Sequence, residues 1–161
     1  RKFYRMLVER MKKFGLELAE DRSRIMPFGR YKGTKESFDF LGFTHYNGKS
    51  HWGKHCVLHR TSKKKLKQKR QSAKQWLREH IHESIPETVE KLNKKLVGHY
   101  RYYGIYGNWI SLEKFYKYVK YELWRTKQRR DQSRWLTWRK YADILRIYPI
   151  ESPKVYLTCA Y

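Results

Sequence analysis

The chain of 161 residues carries 38 Lys and Arg against 15 Asp and Glu, a formal charge of +23 at pH 7. Self-repulsion of that size burdens a compact fold unless a polyanion neutralises it, so nucleic acid is the expected partner and an anionic membrane surface a distant third choice. No apolar run approaches the ~18 residues of a spanning helix, and the Arg-Lys-Phe-Tyr start has neither Met nor an apolar signal region, so the chain is expected to be a piece of something larger.

Ile, Leu, Val and Phe are few for a folded domain, and 14 Tyr and 6 Trp make up the deficit, so a modest, aromatic-rich core is expected. Cys56 and Cys159 lie far apart and form no metal-ligand pair, which fits a reducing compartment.

Taken in chain order, residues 1 to 14 place Tyr4, Leu7, Val8, Met11 and Phe14 on one helical face, and Gly15 stops that helix. Leu16 to Leu18 and Arg24 to Met26 read as short extended pieces around the turn Glu20-Asp21-Arg22-Ser23, and Pro27, Gly29 and Gly33 mark a loop. Phe38 to Tyr46 and roughly Lys54 to Arg60 read as two strands joined through Asn47-Gly48-Lys49-Ser50, a hairpin signal. The first of these, within SFDFLGFTHY, is apolar on both faces: alternation sends Phe38 and Phe40 one way, Leu41 and Phe43 the other. Gly42 permits close approach of a backbone or a nucleic-acid strand.

After Arg60 the pattern turns helical. Thr61 or Ser62 caps a helix through about Ile81, with Leu66, Ala73, Trp76 and Leu77 on one side. Ser84-Ile85-Pro86-Glu87 is a capping-box start for a second helix, whose face is Ile85, Val89, Leu92, Leu96, Tyr100 and Tyr103 and which Gly104 and Gly107 end. A third runs from about Ser111 to Arg129 on Leu112, Phe115, Tyr116, Val119 and Leu123. A shorter one follows Thr137 to about Ile147, and the residues from Pro149 read as an extended tail. Residues 1–60 hold 14 bases and 6 acids; residues 61–148 hold 23 and 8. The expected organisation is therefore α+β, mainly α. A hairpin-bearing segment (1–60) precedes an antiparallel three-helix bundle with a short extra helix (61–148) and a tail (149–161).

Two basic groups stand out. From Arg60 to Arg78 there are nine Lys or Arg and no acid, so the i,i+4 ion pairs that normally support a surface helix cannot form within it. Lys63, Lys67, Arg70 and Lys74 recur at spacings of four, three and four along one side, suited to tracking a phosphate backbone, and Lys64 and Arg78 extend the group. Arg125, Lys127, Arg129, Arg130 and Arg134 form the second. The tyrosines of HYRYYGIYG are candidate stacking platforms for bases, but Tyr100 and Tyr103 continue an apolar face, which favours core packing for them, whereas Arg101 and Tyr102 point elsewhere and are the better candidates for contact. His51, His55, Cys56 and His59 would align on a helix, but a strand scatters them over both faces, so no metal site is expected.

Several of these blocks occur in a known order. Phe14-Gly15-Leu16-Glu17-Leu18, Arg24-Ile25, Phe28-Gly29 and Phe38-Asp39-Phe40-Leu41-Gly42-Phe43 resemble the last two palm blocks of group II intron reverse transcriptase/maturases. Leu92-Asn93-Lys94-Lys95-Leu96-Val97-Gly98-His99-Tyr100-Arg101-Tyr102-Tyr103-Gly104 is similar to their thumb, or domain X, and Tyr148-Pro149-Ile150 with Pro153-Lys154-Val155 to how several bacterial members finish. The resemblance implies that Phe40, Leu41, Gly42 and Phe43 form a primer-grip hairpin, which holds the primer 3′ end. It implies that the thumb helices follow the template–primer duplex and, with the palm, bind intron RNA to assist splicing. The partners it implies are group II intron RNA, RNA–DNA or RNA–RNA duplex, and the fingers and palm of the same protein, in a bacterial cytoplasm or nucleoid, with no membrane.

Polymerase chemistry needs carboxylates holding two divalent ions about 3.5–4 Å apart, which the family supplies mainly through a Tyr-Ala-Asp-Asp turn. No such stretch occurs here: Tyr141-Ala142-Asp143-Ile144 lacks the second Asp and falls in a helical segment. The chain alone is expected to be inactive and to hold no cofactor, with Mg²⁺ expected for the parent RNA-directed DNA polymerase. Arg22 stands where the family usually has a lysine thought to protonate pyrophosphate; an arginine is a poor proton donor, which leaves it at most a phosphate-stabilising role. The alternative expectation is a non-catalytic RNA-binding module or stand-alone maturase remnant.

Overall fold

The structure, a computed structural model, describes residues 2–19, 23, 25–29, 36–50, 52–130 and 135–157. It is α+β and mostly helical. Helix α1 (Lys2–Lys13) precedes a three-stranded antiparallel sheet of β1 (Ser37–Phe40), β2 (Phe43–Lys49) and β3 (His55–Thr61) in that order. Helices α2 (Lys63–Glu79), α3 (Ile85–Tyr103), α4 (Trp109–Arg130) and α5 (Trp138–Ile147) follow. No helix among the described residues is long and apolar enough to cross a membrane.

Helix α1 ends as its glycine requires. Gly15 sits at φ 69°, its amide donates to the Lys12 carbonyl (3.0 Å), and the Leu16 amide reaches back to Met11 (3.1 Å). This is a Schellman closure, which favours a residue without Cβ. The apolar face of α1 stays open to solvent at Phe3, Met6 and Phe14. The extended pieces expected at Leu16–Leu18 and at Ile25–Met26 form no strand.

The sheet departs from the sequence expectation in an instructive way. SFDFLGFTHY is not one strand but a hairpin folded at Leu41–Gly42, both at positive φ (49° and 85°). Such two-residue turns match the right-handed twist of the flanking strands. Phe40 and Phe43 close the ladder opposite one another, and Phe38 faces His45. Directly opposed residues share a face, so Phe38, Phe40 and Phe43 lie on the same side rather than on two. Leu41 is left at the tip. Asn47-Gly48, the apparent turn, lies inside β2 opposite Val57 and Cys56. A Cβ on Gly48 would fall 2.4 Å from Leu58 Cδ1, so that glycine makes room for a side chain instead of bending the chain. The β2–β3 turn comes later, where the Ser50 amide donates to Lys54 (2.7 Å) and Gly53 takes φ 73°.

The helices begin at their caps. Ser62 accepts from the Lys65 amide, Thr137 from Lys140, and Ser84 and Glu87 satisfy one another's backbone amides. Leu77, Leu92, Leu96, Tyr100, Leu112, Val119, Leu123 and Tyr141 are almost wholly buried in one core, to which α2, α3, α4 and α5 all contribute. Helix α2 packs along α4, and α3 also contacts it.

One corner ties sheet, helices and tail together. Asn108, fully buried, accepts from the Thr61 amide (2.7 Å) and donates to the Thr61 hydroxyl (2.9 Å) and the Tyr103 carbonyl (2.8 Å). The tail does more than extend: Leu157 bridges Ile105, and the Tyr156 amide donates to Gly104 (2.7 Å). A Cβ on Gly104 would meet the Lys154 carbonyl at 2.5 Å, so only glycine lets the tail come this close.

Candidate nucleic-acid interface

Helix α2 carries eight cations, Lys63, Lys64, Lys65, Lys67, Lys69, Arg70, Lys74 and Arg78, and no acid in its first turn. Three lysines therefore crowd the end where the helix dipole is already positive, an arrangement that costs stability in isolation and attracts anions. Among the described residues none of these eight is in an ion pair. The cations of α3 and α4 behave differently: Lys91 pairs with Glu83, Lys94 with Glu90, Lys117 with Glu113 and Arg125 with Glu122.

Packing divides the α2 cations between two flanks. On one side of the buried Leu77 stripe run Lys63, Lys67, Arg70, Lys74 and Arg78, at the spacings that single them out in the sequence. Here the Arg70 guanidinium donates to the Lys114 carbonyl of α4 (3.4 Å) and lies 5.1 Å from the Tyr118 ring. Burial and then Glu122 raise the Tyr118 pKa against the opposing pull of Arg70, Arg125 and Arg78. Arg125 of the second basic group thus joins the first, while Arg70 is partly engaged inside the chain. Lys63, Lys64, Lys67 and Arg78 remain exposed and Lys74 half-buried.

The opposite flank, which sequence periodicity did not single out, holds Lys65 and Lys69. With Lys95 of α3 they rim a groove of about 850 Å³ that also touches Leu41 and Gly42 and has Trp76, His99 and Tyr103 among its walls. The available signal was the spacing of Lys65, Lys69 and Trp76 along one helix side; what they face becomes visible only once α2 and α3 are packed.

The Phe40–Phe43 turn is pinned at the mouth of this groove. The Ser62 amide donates to the Gly42 carbonyl (2.9 Å), and the Tyr102 hydroxyl donates to that of Leu41 (2.9 Å). A Cβ on Gly42 would lie 3.3 Å from the Tyr103 hydroxyl oxygen, so the close approach that Gly42 permits is made by α3 of the same chain. Tyr102 also stacks on Phe43 at 5.9 Å, while Phe40 and Leu41 keep more than half of their surface exposed. Arg101 is exposed.

Lys127 needs correction. Expected to contact nucleic acid, it is buried, with its ammonium donating to the carbonyls of His80 (2.7 Å) and Glu83 (2.8 Å) in the α2–α3 link. It follows Leu123 by four residues and so falls on the inner stripe of α4; burial lowers its pKa to about 8. Arg130 donates to the same Glu83 carbonyl (3.2 Å) but stays exposed, as does Arg129. Arg22, His51, Arg134 and Cys159 lie outside the described residues.

The histidines of the sheet do not converge with Cys56. His45 and His59 meet edge to face at 4.7 Å, and burial followed by His45 lowers the His59 pKa. His55 bonds Asn47 (3.1 Å), and Cys56 points to the other face. Among the described residues there is no group of three or more His, Cys, Asp or Glu able to hold a metal. Tyr141 is buried in α5 with its hydroxyl on the Lys120 carbonyl (2.8 Å), and Asp143 pairs with Arg146 (3.1 Å). This motif therefore offers no carboxylate pair for Mg²⁺. No protein family, curated protein or solved structure matches the chain.

Proposed function

We propose that the chain grips RNA and RNA–DNA duplex as the palm end and helical thumb of a group II intron-type reverse transcriptase/maturase. The observation that carries the binding reading is α2: eight cations with no ion-pair partner among the described residues, three of them in the first turn. A charge arrangement that opposes folding and is left unneutralised within the chain is explained by a polyanion outside it. The sequence resemblance supplies the finer identity. In this reading Phe40–Phe43 is the primer grip, α2 to α4 form the thumb, and the rest of the fingers and palm covers the open face of α1. Catalytic Mg²⁺ belongs to the parent polymerase.

Leu41 supports the same reading. A leucine at positive φ is a strained choice where Asn-Gly would suit the turn, and its side chain is exposed. A contact beyond the chain accounts for both facts.

Two measurements test this. Affinity for an RNA–DNA duplex is expected to fall about 10³–10⁵-fold between 50 and 200 mM salt, as for six to ten phosphate contacts; salt-insensitive binding would sink the proposal. A photo-crosslinker at Leu41 is expected to capture the 3′-terminal nucleotide of a recessed primer. Salt-sensitive binding with crosslinks spread along both strands would instead make the chain a non-catalytic RNA-binding module.

A further inference from the structure

We infer that the groove between the Leu41–Gly42 turn, α2 and α3 receives one unpaired nucleotide of the bound nucleic acid, its base against the aromatic wall and its flanking phosphates on the lysine rim. This rests on the nucleic-acid reading above and adds an occupant to a site that the reading leaves empty.

Charge complementarity selects the occupant. Lys65, Lys69 and Lys95 line the groove, and among the described residues no carboxylate does. The volume, about 850 Å³, falls in the range of small-ligand sites, roughly 300–1,000 Å³. Inside, the flat surface on offer is that of Trp76, with the Lys95 ammonium 5.3 Å and the His80 ring 4.1 Å from its ring, and of Tyr102, which stays more than half exposed; His99, already packed on Phe115 (4.2 Å) and Tyr103 (4.7 Å), closes the wall. Bases stack on such faces whatever their identity. A continuous duplex keeps its bases inside its own stack, so a bulged or unpaired nucleotide is the part of the polyanion that fits.

Two further observations ask for an occupant. His99 Nδ1 is buried and has no hydrogen-bond partner among the described residues. A buried polar atom left so costs about 1–3 kcal/mol, and the edge of a base supplies the partner once the His99 ring turns its Nδ1 toward the groove. Burial, then Lys69, lowers the His99 pKa to about 4, so the ring is neutral at pH 7 and its free nitrogen takes either role by choice of tautomer. The second observation is Gly98. It lines the groove from within α3, where glycine costs ~1 kcal/mol relative to alanine. A Cβ built there meets nothing within 4 Å, so no neighbour in the chain demands the glycine. Close approach of a sugar or base to the helix backbone does.

The test compares three RNAs of equal length by fluorescence anisotropy with the whole chain: a continuous duplex, the same duplex with a single-nucleotide bulge, and that bulge made abasic. The bulged RNA is expected to bind about tenfold more tightly than the other two, the contribution of one stacked base. Gly98→Trp, which fills the groove, is expected to abolish that preference and leave continuous-duplex affinity unchanged; Gly98→Ala, which adds a Cβ where the base or sugar approaches the helix, is expected to reduce the preference in part and leave continuous-duplex affinity unchanged. Equal binding of all three RNAs overturns the inference, as does an abasic bulge that binds as tightly as the intact one, since backbone flexibility then explains the preference. Retention of the preference by folded Gly98→Trp overturns it too. The RNA comparison uses the unmodified chain and decides even if Gly98→Trp does not fold. Absence of any duplex binding would instead overturn the nucleic-acid reading itself.

Discussion

Helices α2 and α3 are close in length, both start at a serine cap, and both are rich in basic residues. They differ in what their charges meet. Lys91 and Lys94 of α3 have glutamates at 2.5 and 2.9 Å, while the cations of α2 have no ion-pair partner among the described residues. Exposed ion pairs add little net stability, because water screens them and holding two long side chains costs entropy, so α3 gains little from its arrangement. The lesson is in α2, which forgoes even that and adds repulsion at its N-terminus. On the proposed function, its charge serves the bound nucleic acid.

Lys127 is where that contrast breaks most sharply, because its ammonium is bonded inside the fold, at a desolvation cost that its lowered pKa records. Lys127→Ala is expected to lower stability by about 3 kcal/mol in urea unfolding, since the His80 and Glu83 carbonyls lose a charged donor in a buried place. Duplex affinity of the folded variant should not change. A reduced salt slope would put Lys127 back in the interface.

A comparable loss is expected on acidification, and it belongs to α3. The His99 pKa of about 4 lies below the ordinary 6.5, so above pH 6.5 the ring is neutral in both folded and unfolded chains. Between pH 6.5 and 4 the unfolded chain takes up a proton that the folded one declines. Stability from this group is thus complete above pH 6.5 and falls on the order of 3 kcal/mol as the pH drops to about 4. His59, lowered for the same reason, adds in the same direction. His99→Phe should flatten most of the slope; an unchanged acid profile would show that His99 is not held neutral.

The comparison itself is tested by two sets of alanines. Replacing Lys63, Lys67 and Lys74 is expected to weaken RNA duplex binding about 100-fold near 0.1 M salt and to reduce the salt slope by about three. Thermal stability should hold or rise. Replacing Lys91 and Lys94 should cost less than about threefold. Equal losses from the two sets would erase the distinction between the helices.

The smallest effect sharpens the picture at the tip of the hairpin. Leu41→Asn places a residue that tolerates positive φ in the turn and should raise stability by about 1 kcal/mol. Primer-end binding should weaken in the same variant, and a gain in both would show that Leu41 has no outside contact.

The helices were legible because their ends are written locally: Ser62, Ser84 and Thr137 cap them and Gly15 closes α1. The hairpin was misread because its two turn-like glycines exchange roles. Asn47-Gly48 has turn chemistry, but Leu58 across the sheet requires the absent side chain, whereas Leu41-Gly42 turns without an asparagine to announce it. The site was half legible. Lys63, Lys67, Arg70 and Lys74 follow from one helix's period, but the Lys65–Lys69–Lys95 rim exists only across two helices. Lys127 went wrong because a count of charges does not register that a residue four past Leu123 faces inward.

The corner at Asn108 sets an order of events during synthesis. Thr61, at the end of the sheet, waits for Asn108, and the loop that carries Asn108 is fastened by Leu157 through Ile105 and by Tyr156 through Gly104. On a ribosome the helices can form one by one as they emerge, each from its own cap. The joint that fixes the hairpin to them is finished only when residue 157 has left the exit tunnel. Until then the Thr61–Asn108 joint lacks its last fastening, although Ser62 and Tyr102 already hold the Leu41–Gly42 turn.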